Sequence, residues 1–137
     1  VVDGRDFEHP DYPDGNFMGP TFLEGVTTDM DIAQTEIFGP VLCFADSDDL
    51  DEAIEMVNST EYGNASSLYT ERGSEARQYR YEVDAGNIGI NVGVCAPMGF
   101  FHFGGRKGSF FGDLHAQGED AVSFYTDKTI EIERYFN

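Results

Sequence analysis

The pair Gly39-Pro40 constrains the fold of this chain more than any other feature of its sequence. It separates an amphipathic run around Ile32 and Ala33 from the apolar run 41–45. Proline fixes its own φ and has no backbone N–H, so no helix continues through Pro40. A glycine before it lets the backbone turn without the steric penalty of a Cβ atom. We therefore predict a turn at this pair and a buried strand over 41–45.

Short apolar runs alternate with segments of helical spacing along the rest of the chain. Leu50, Ala53, Ile54 and Val57 follow the i, i+3, i+4, i+7 pattern of a helix that opens at 47–49. Similar patterns predict strands over 17–23 (broken at Gly19-Pro20), 65–70, 87–92 and 124–131, and helices over 75–83 and about 114–123. Strands alternating with helices indicate right-handed crossovers. We predict an α/β fold, a parallel sheet with flanking helices, in one domain spanning 1–137.

Two residues are candidates for capping the helix predicted over 75–83. Ser74 is a typical N-cap residue, and Gly86 suits a left-handed conformation after a helix C-terminus. The last predicted strand, 124–131, carries polar side chains on both faces, whereas a strand inside a parallel sheet is almost continuously apolar. We therefore expect residues 124–134 to lie at an edge. They would pair with a neighbouring subunit or with an arm strand near 1–22.

Acidic residues dominate the composition. Twenty-six Asp and Glu face eight Lys and Arg, which gives a net charge of −18 and disfavours nucleic acids and anionic membranes as partners. Such a surface fits either an acidic interaction site or adaptation to molar salt, where the screening length falls to about 3 Å. The acids are spread over the whole length, which favours a halophilic protein. No apolar stretch of membrane-spanning length and no leader is visible, so we expect the cytoplasm as its location.

The cysteines and histidines form no metal-binding pattern. Cys43 and Cys95 lie in apolar runs without a C-x-x-C partner, and the three histidines, His9, His102 and His115, are scattered. Reduced structural thiols are favoured over a disulfide, and no metal is expected.

Glu36 and Phe38 stand two residues apart beside the Gly39-Pro40 turn. A carboxylate there can accept hydrogen bonds from hydroxyl groups, and an aromatic ring can pack on a flat ligand. The alternative is a solvated acid and a core phenylalanine. A second candidate site is Phe103-Gly104-Gly105, whose glycines permit either close backbone approach or an anion-binding nest. A third is the loop 92–101, which would be an apolar wall at a strand end or would pack on its own core.

The motifs E-I-F-G-P-V at 36–41 and F-G-G-R-K at 103–107 resemble the NAD(P)-dependent aldehyde dehydrogenase superfamily. G-N-F-M-G-P-T at 15–21 is similar to a phrase of the same family. The resemblance implies that Glu36 binds the ribose hydroxyls of the nicotinamide half of NAD and that Phe38 contacts the same region. It also implies that Phe103 lines the aldehyde pocket.

The segments G-S-F-F-G-D-L at 108–114 and F-Y-T-D-K-T at 124–129 resemble the CoA-acylating methylmalonate-semialdehyde dehydrogenases. In that branch a cysteine thiolate attacks the aldehyde, hydride passes to NAD, and the acyl group transfers to CoA. The resemblance implies a homo-oligomer and, as substrate, methylmalonate or malonate semialdehyde. Gly93 and Cys95 replace prolines usual in the branch, and Phe110 replaces a glycine of the wider superfamily.

The resemblance covers only the C-terminal part of the family's subunit. It implies that the Rossmann cofactor domain and the nucleophilic cysteine lie upstream, so this chain offers no catalytic residue and is expected to be inactive alone. Neither Cys43 nor Cys95 suits the nucleophile's role, since a reactive thiolate needs an accessible, electropositive setting. The alternative is a non-catalytic truncated module that retains only the end that assembles the oligomer.

Overall fold

The computed structural model describes residues 2–136, and Val1 and Asn137 lie outside the described residues. The chain divides into two compact units, Val1–Glu61 and Tyr62–Asn137.

The first unit contains two strands and two helices in the order β1 (Thr21–Leu23), α1 (Asp31–Gln34), β2 (Val41–Cys43) and α2 (Leu50–Ser59). β1 and β2 pair in parallel, with Thr21 opposite Val41. On the other side of β1, Val2 and Phe22 exchange backbone hydrogen bonds of 3.0 and 2.9 Å in an antiparallel bridge. Because proline has no N–H to donate, β1 begins only after Pro20.

Acidic side chains fix the start of α2. The carboxylate of Asp49, the N-cap residue, accepts a 2.9 Å hydrogen bond from the backbone N–H of Glu52. The Glu52 carboxylate in turn accepts one of 2.6 Å from the N–H of Asp48. These reciprocal bonds satisfy N–H groups that a helix start leaves unpaired. α2 buries Ile54, and Val26 is the other buried apolar residue of this unit.

The second unit contains β3 (Tyr62–Gly63), β4 (Ala65–Leu68), α3 (Gly73–Glu82), β5 (Asn87–Ile90), β6 (Arg106–Lys107) and α4 (Asp120–Tyr125). β4 and β5 are parallel and are joined through α3, with Ala65 opposite Asn87. β3 and β6 are antiparallel, with Gly63 opposite Arg106. Tyr79, Val83 and Ala85 form the buried core. Parallel pairs joined through helices confirm the α/β prediction.

The caps of α3 differ from the prediction. Arg72, not Ser74, is the N-cap residue, and it has no side-chain capping bond. Gly86 is not in the left-handed region; α3 ends at Glu82, and its C-cap residue Val83 is extended. The helix-cap rule singled out Gly86, but its role in the structure is to let two backbone segments of the chain approach closely, as described below.

The C-terminal elements also differ from the prediction. The helix expected near 114–123 runs from Asp120 to Tyr125. Gly118, with a left-handed φ of +66°, interrupts helical geometry just before it. The first two residues of the strand expected over 124–131 belong instead to the end of α4. Among the described residues no strand follows Lys107. None of the helices within 2–136 has the length and apolar character needed to cross a membrane.

Candidate functional site

The segment 36–40 forms a tight turn in front of β2. The N–H of Gly39 donates to the carbonyl of Ile37 (2.9 Å), and the N–H of Val41 donates to the carbonyl of Gly39 (2.8 Å). The Pro40 carbonyl accepts a 2.8 Å bond from Thr21, which ties the turn to β1. Gly39 is not left-handed, and a Cβ there would meet only Ile37 at 3.8 Å. The turn is therefore set by Pro40 and the backbone hydrogen bonds.

Glu36 and Phe38 both project into solvent from this turn. The Phe38 side chain is 100% exposed, and Glu36 is exposed as well. Phe38 is therefore outside the core of this unit, whereas the exposure of Glu36 fits both a ligand-binding and a merely solvated carboxylate. A bare aromatic ring two residues from a free-standing carboxylate suits a flat ligand that carries hydroxyl groups.

The Phe103-Gly104-Gly105 segment lies against Gly86. A Cβ at Gly86 would clash with the Gly104 carbonyl oxygen and would approach Gly105 Cα to 2.7 Å. A Cβ at Gly104 would overlap the His115 ring, and one at Gly105 would meet Ser109 at 2.9 Å. Of the two roles predicted for this glycine pair, close backbone approach is the one that the structure shows.

Asn87 holds the same segment from the other side. Its side-chain amide donates to the carbonyl of Gly104 (2.9 Å) and to that of Asn64 (3.0 Å). Ser109 adds a third link, because its Oγ accepts a 3.1 Å bond from the N–H of Gly63 in β3. The segment is thus fixed to β3 and β5 by polar contacts that a glycine pattern alone does not predict.

Phe103, the predicted pocket residue, is 43% exposed and lines two open pockets of the second unit. One, of about 300 Å³, is lined by Ser66, Asn87, Val94 and Cys95 among others. The other, of about 340 Å³, is mostly apolar and is lined by Ser109, Phe110, Phe111, Leu114 and Phe124 among others.

The loop 92–101 follows β5 and leaves its large side chains in solvent. Val94 is 79% exposed, and Phe100 and Phe101, which contact each other at a ring-centroid distance of 4.7 Å, are more than half exposed. The loop does not bury them in its own core, and its residues 93–96 line the pocket beside Phe103. This arrangement supports the apolar-wall interpretation.

Both cysteines are free thiols of intermediate burial. Cys95 Sγ lies 3.7 Å from the Ser66 carbonyl oxygen and 3.6 Å from that of Asn87, so the thiol can donate to either. Cys43 lies in β2 and lines an open apolar pocket of about 400 Å³ in the first unit, together with Ile32 and Met56. A thiol that faces carbonyl oxygens or apolar groups lacks the nearby cation that stabilises a thiolate.

Two of the three histidines meet at one carboxylate, which the sequence analysis missed. His115 Nδ1 lies 3.4 Å and His102 Nδ1 3.7 Å from Asp120 Oδ2. The His115 ring also stacks on Phe110, at 4.7 Å between centroids and 18° between planes. The sequence predicted a helix over about 114–123 and so gave no signal that Asp120 would stand at a helix start facing both histidines. Within residues 2–136 no group of three His, Cys, Asp or Glu has an arrangement that could hold a metal ion.

Comparison with known proteins identifies the family. The model of the aldehyde dehydrogenase family matches residues 1–130. Malonate-semialdehyde dehydrogenase 1 of Geobacillus kaustophilus is 50% identical over 133 residues, covering 97% of this chain and 27% of that protein.

Two solved structures are similar along almost the whole chain. Methylmalonate-semialdehyde dehydrogenase of Oceanimonas doudoroffii aligns with a TM-score of 0.92 and 39% identity, over 100% of this chain and 28% of its own. A Sinorhizobium meliloti protein assigned as a methylmalonate-semialdehyde dehydrogenase, in complex with NAD, aligns with a TM-score of 0.88 and 42% identity, over 92% and 26%.

The chain spans about a quarter of the length of these relatives. NAD in the Sinorhizobium meliloti complex makes NAD the expected cofactor of the family. Because the family model matches nearly every residue and one relative is half identical, the chain belongs to the aldehyde dehydrogenase family.

Proposed function

We propose that this chain is the C-terminal part of the catalytic domain of an NAD-dependent enzyme that oxidises methylmalonate or malonate semialdehyde and transfers the acyl group to CoA. The observation that carries the proposal is the exposed pair Glu36 and Phe38 on a proline-fixed turn, in a chain that the family model matches. The names of the relatives at 39–50% identity support the choice of semialdehyde.

Glu36 and Phe38 have the chemistry that the nicotinamide half of NAD needs. The carboxylate can accept hydrogen bonds from both hydroxyls of one ribose, and charge-assisted bonds are the stronger kind. The exposed Phe38 ring offers an apolar face for the nicotinamide side. NAD supplies the hydride acceptor, and these two residues bind and orient it.

Phe103 is proposed as part of the wall against which the aldehyde packs. Its ring borders both pockets of the second unit, and the 340 Å³ pocket is lined mainly by apolar side chains. The cysteine nucleophile and the Rossmann cofactor domain are assigned to the part of the protein upstream of this chain. Both thiols present here sit beside carbonyl oxygens or apolar groups, which supports that assignment.

The test is Glu36→Gln in the complete enzyme that contains this chain. The amide keeps the shape of the side chain but removes its charge, and a hydrogen bond to a charged group is worth about 1.5–3 kcal/mol. The kcat/KM for NAD should therefore fall about tenfold or more. Glu24→Gln is the matched control, since Glu24 is also exposed in the first unit, and it should leave the kinetics unchanged.

Unchanged NAD kinetics in Glu36→Gln would make Glu36 a structural residue only. The 137-residue chain by itself should oxidise no semialdehyde, because the nucleophile lies elsewhere. Turnover by the isolated chain would contradict that assignment. It would also require a nucleophile among the residues described here.

We propose that residues 124–134 join subunits of a homo-oligomer, with arm strands near 1–22. Among the described residues no helix or strand follows α4, and Ile130 and Ile132, about nine-tenths exposed, alternate with Glu131 and Glu133. A segment that alternates apolar and acidic side chains suits addition as a strand to the sheet of another subunit. Deletion of 124–137 from the complete enzyme should reduce its mass in light scattering to that of a monomer, whereas an unchanged mass would place the contact elsewhere.

We propose that the net charge of −18 adapts the protein to a halophile's high salt. Screening over about 10 Å at 0.1 M salt shortens to about 3 Å at 1 M, which relieves repulsion among the acids. The thermal midpoint should rise steeply with KCl over this range. A midpoint that does not depend on salt would favour an acidic partner-binding surface instead.

A further inference from the structure

His115 is held on three sides within the second unit. Its Nδ1 lies 3.4 Å from the carboxylate of Asp120, the first residue of α4. One face of its ring stacks on Phe110 with planes only 18° apart. Its ring is also 5.6 Å from that of His102, which shares the same carboxylate. The side chain is only 27% exposed, so its orientation is determined by its neighbours.

The edge of the His115 ring occupies the space beside Gly104. A Cβ at Gly104 would overlap ring atoms Cδ2 and Nε2, so the ring packs directly on this Cα. The carbonyl of the same residue is bound by Asn87 at 2.9 Å. Gly104 is therefore held between an amide on one side and an imidazole on the other.

Phe103 precedes Gly104, and its ring lines the 340 Å³ pocket together with Phe110. We call these two phenylalanines the Phe103–Phe110 wall of the pocket. His115 contacts it at both ends, because its ring stacks on Phe110 and packs against Gly104, the residue after Phe103. A shift of the imidazole would move both phenylalanines. A displacement of about 1 Å in a positioning contact costs up to about a hundredfold in rate.

We propose that His115, oriented by Asp120, is a positioning residue that sets the Phe103–Phe110 wall and thereby the fit of the aldehyde. The proposal rests on the function proposed above, because Phe103 matters for catalysis only if its pocket receives the aldehyde. His115 itself touches neither the substrate nor the cofactor; it acts through Phe110 and Gly104.

The first test uses NMR on the full 137-residue chain and does not depend on enzymatic activity. Ring protons of His115 should be shifted upfield by the stacked Phe110 ring, and Phe110→Leu should abolish the shift. His115→Leu should move the amide signals of Phe103 and Gly104, and Asp120→Asn should move them in the same direction. His9, which contacts Tyr12 and Phe17 in the first unit, is the internal control and should keep its signals. Unmoved Phe103 and Gly104 signals would overturn the proposal.

The second test is kinetic and uses the complete enzyme. His115→Leu should raise the KM for the semialdehyde about tenfold or more and leave the KM for NAD unchanged. His115→Phe keeps a flat ring for stacking and should restore most of the loss. A wild-type enzyme that oxidises no semialdehyde would refute the proposed function, whereas the NMR result would stand. An active enzyme with equal kinetics in wild type and His115→Leu would refute the positioning role alone.

Discussion

The turn at 36–40 and the glycine segment at 103–105 both carry motifs of the family, but they are built in opposite ways. The turn is held by two short backbone bonds and by β1, and its Phe38 ring is wholly in solvent. The glycine segment is enclosed by Gly86, Asn87, Ser109 and His115, with no room for a Cβ at either glycine. We call the turn at 36–40 the displayed motif, because its side chains are exposed. We call the segment at 103–105 the embedded motif, because neighbouring residues enclose it.

We expect this difference to separate the residues proposed to bind a ligand from the residues that stabilise the fold. A side chain with no contacts inside the chain contributes little to stability, so its substitution should affect binding alone. A residue in close backbone contact affects folding first and any ligand second. The embedded segment should therefore be sensitive to substitution in this isolated chain, and the displayed turn should be tolerant.

The largest expected effect comes from a matched pair of glycine substitutions. Gly86→Ala would push a Cβ against backbone atoms of Gly104 and Gly105, which no side-chain rotation can relieve. We expect a loss of about 3 kcal/mol in the free energy of unfolding, at the upper end of overpacking effects. Gly39→Ala meets nothing closer than 3.8 Å and should be nearly neutral. Urea unfolding followed by circular dichroism measures both.

Equal losses in the two variants would remove the distinction between the displayed and the embedded motif. Gly99→Ala is a further control inside the second unit, since a Cβ there would have no neighbour within 4 Å. It should behave like Gly39→Ala.

A smaller effect is expected from Asn87→Ala. The variant removes one hydrogen bond to the embedded segment, at the carbonyl of Gly104, and one to the carbonyl of Asn64. The expected loss is about 2 kcal/mol, with faster hydrogen exchange in β5 and the glycine segment. Asn16→Ala, at an exposed position of the first unit, should change neither quantity. A stable Asn87→Ala variant would show that backbone packing alone embeds the segment.

The smallest expected effect on stability concerns Glu75 at the start of α3. Its carboxyl makes polar contacts in the second unit that are accessible to solvent. Hydrogen bonding from the Thr70 hydroxyl, aided by Arg72, lowers the pKa of the Glu75 carboxyl below its usual value of 4.5. A lowered pKa stabilises the folded state at pH values above 4.5, and this stabilisation disappears as the pH falls through the lower folded-state pKa. Glu75→Gln should therefore be slightly less stable than wild type at pH 6, and the two should converge as the pH falls below 4.5 and through the lower folded-state pKa.

Acid titration of the thermal midpoint measures this difference. Glu71→Gln, which also removes one exposed acid near α3, is the matched control and should not show the same convergence. A pH-independent difference for Glu75→Gln would mean that packing, and not its charge, matters.

Local sequence rules predicted the elements whose ends are fixed by their own residues. Pro40 predicted the start of β2, and Ser47-Asp48-Asp49 predicted the start of α2. The strand expected over 17–23 forms only from Thr21, after the predicted break at Gly19-Pro20. The buried strand expected over 41–45 spans only Val41–Cys43, and its Leu42 is half exposed. The motifs placed Glu36, Phe38 and Phe103 as candidates, and the structure gives each an exposed or pocket position. Their roles toward NAD and the aldehyde stay predictions.

The rest depends on contacts between residues far apart in sequence. Gly86 was interpreted as a helix cap because local sequence patterns compare only nearby residues. Its contact in the structure, Gly104, is 18 positions away in the sequence. His115 was classed with scattered histidines because Asp120 and His102 meet it only in the folded chain. The start predicted for the strand at 124–131 overlaps α4, because that helix begins only after Gly118 and extends to Tyr125.

The exposed apolar side chains and the net charge of −18 are expected to act against each other when two chains meet: the charge repels, and the apolar surfaces attract. At low salt, repulsion over about 10 Å keeps chains apart even though rings such as Phe38, Phe111 and Phe136 are exposed. At molar salt the repulsion reaches only about 3 Å, and the same rings can meet another surface. If the proposed adaptation to salt holds, salt would control association between chains as well as stability, and the same medium would favour both.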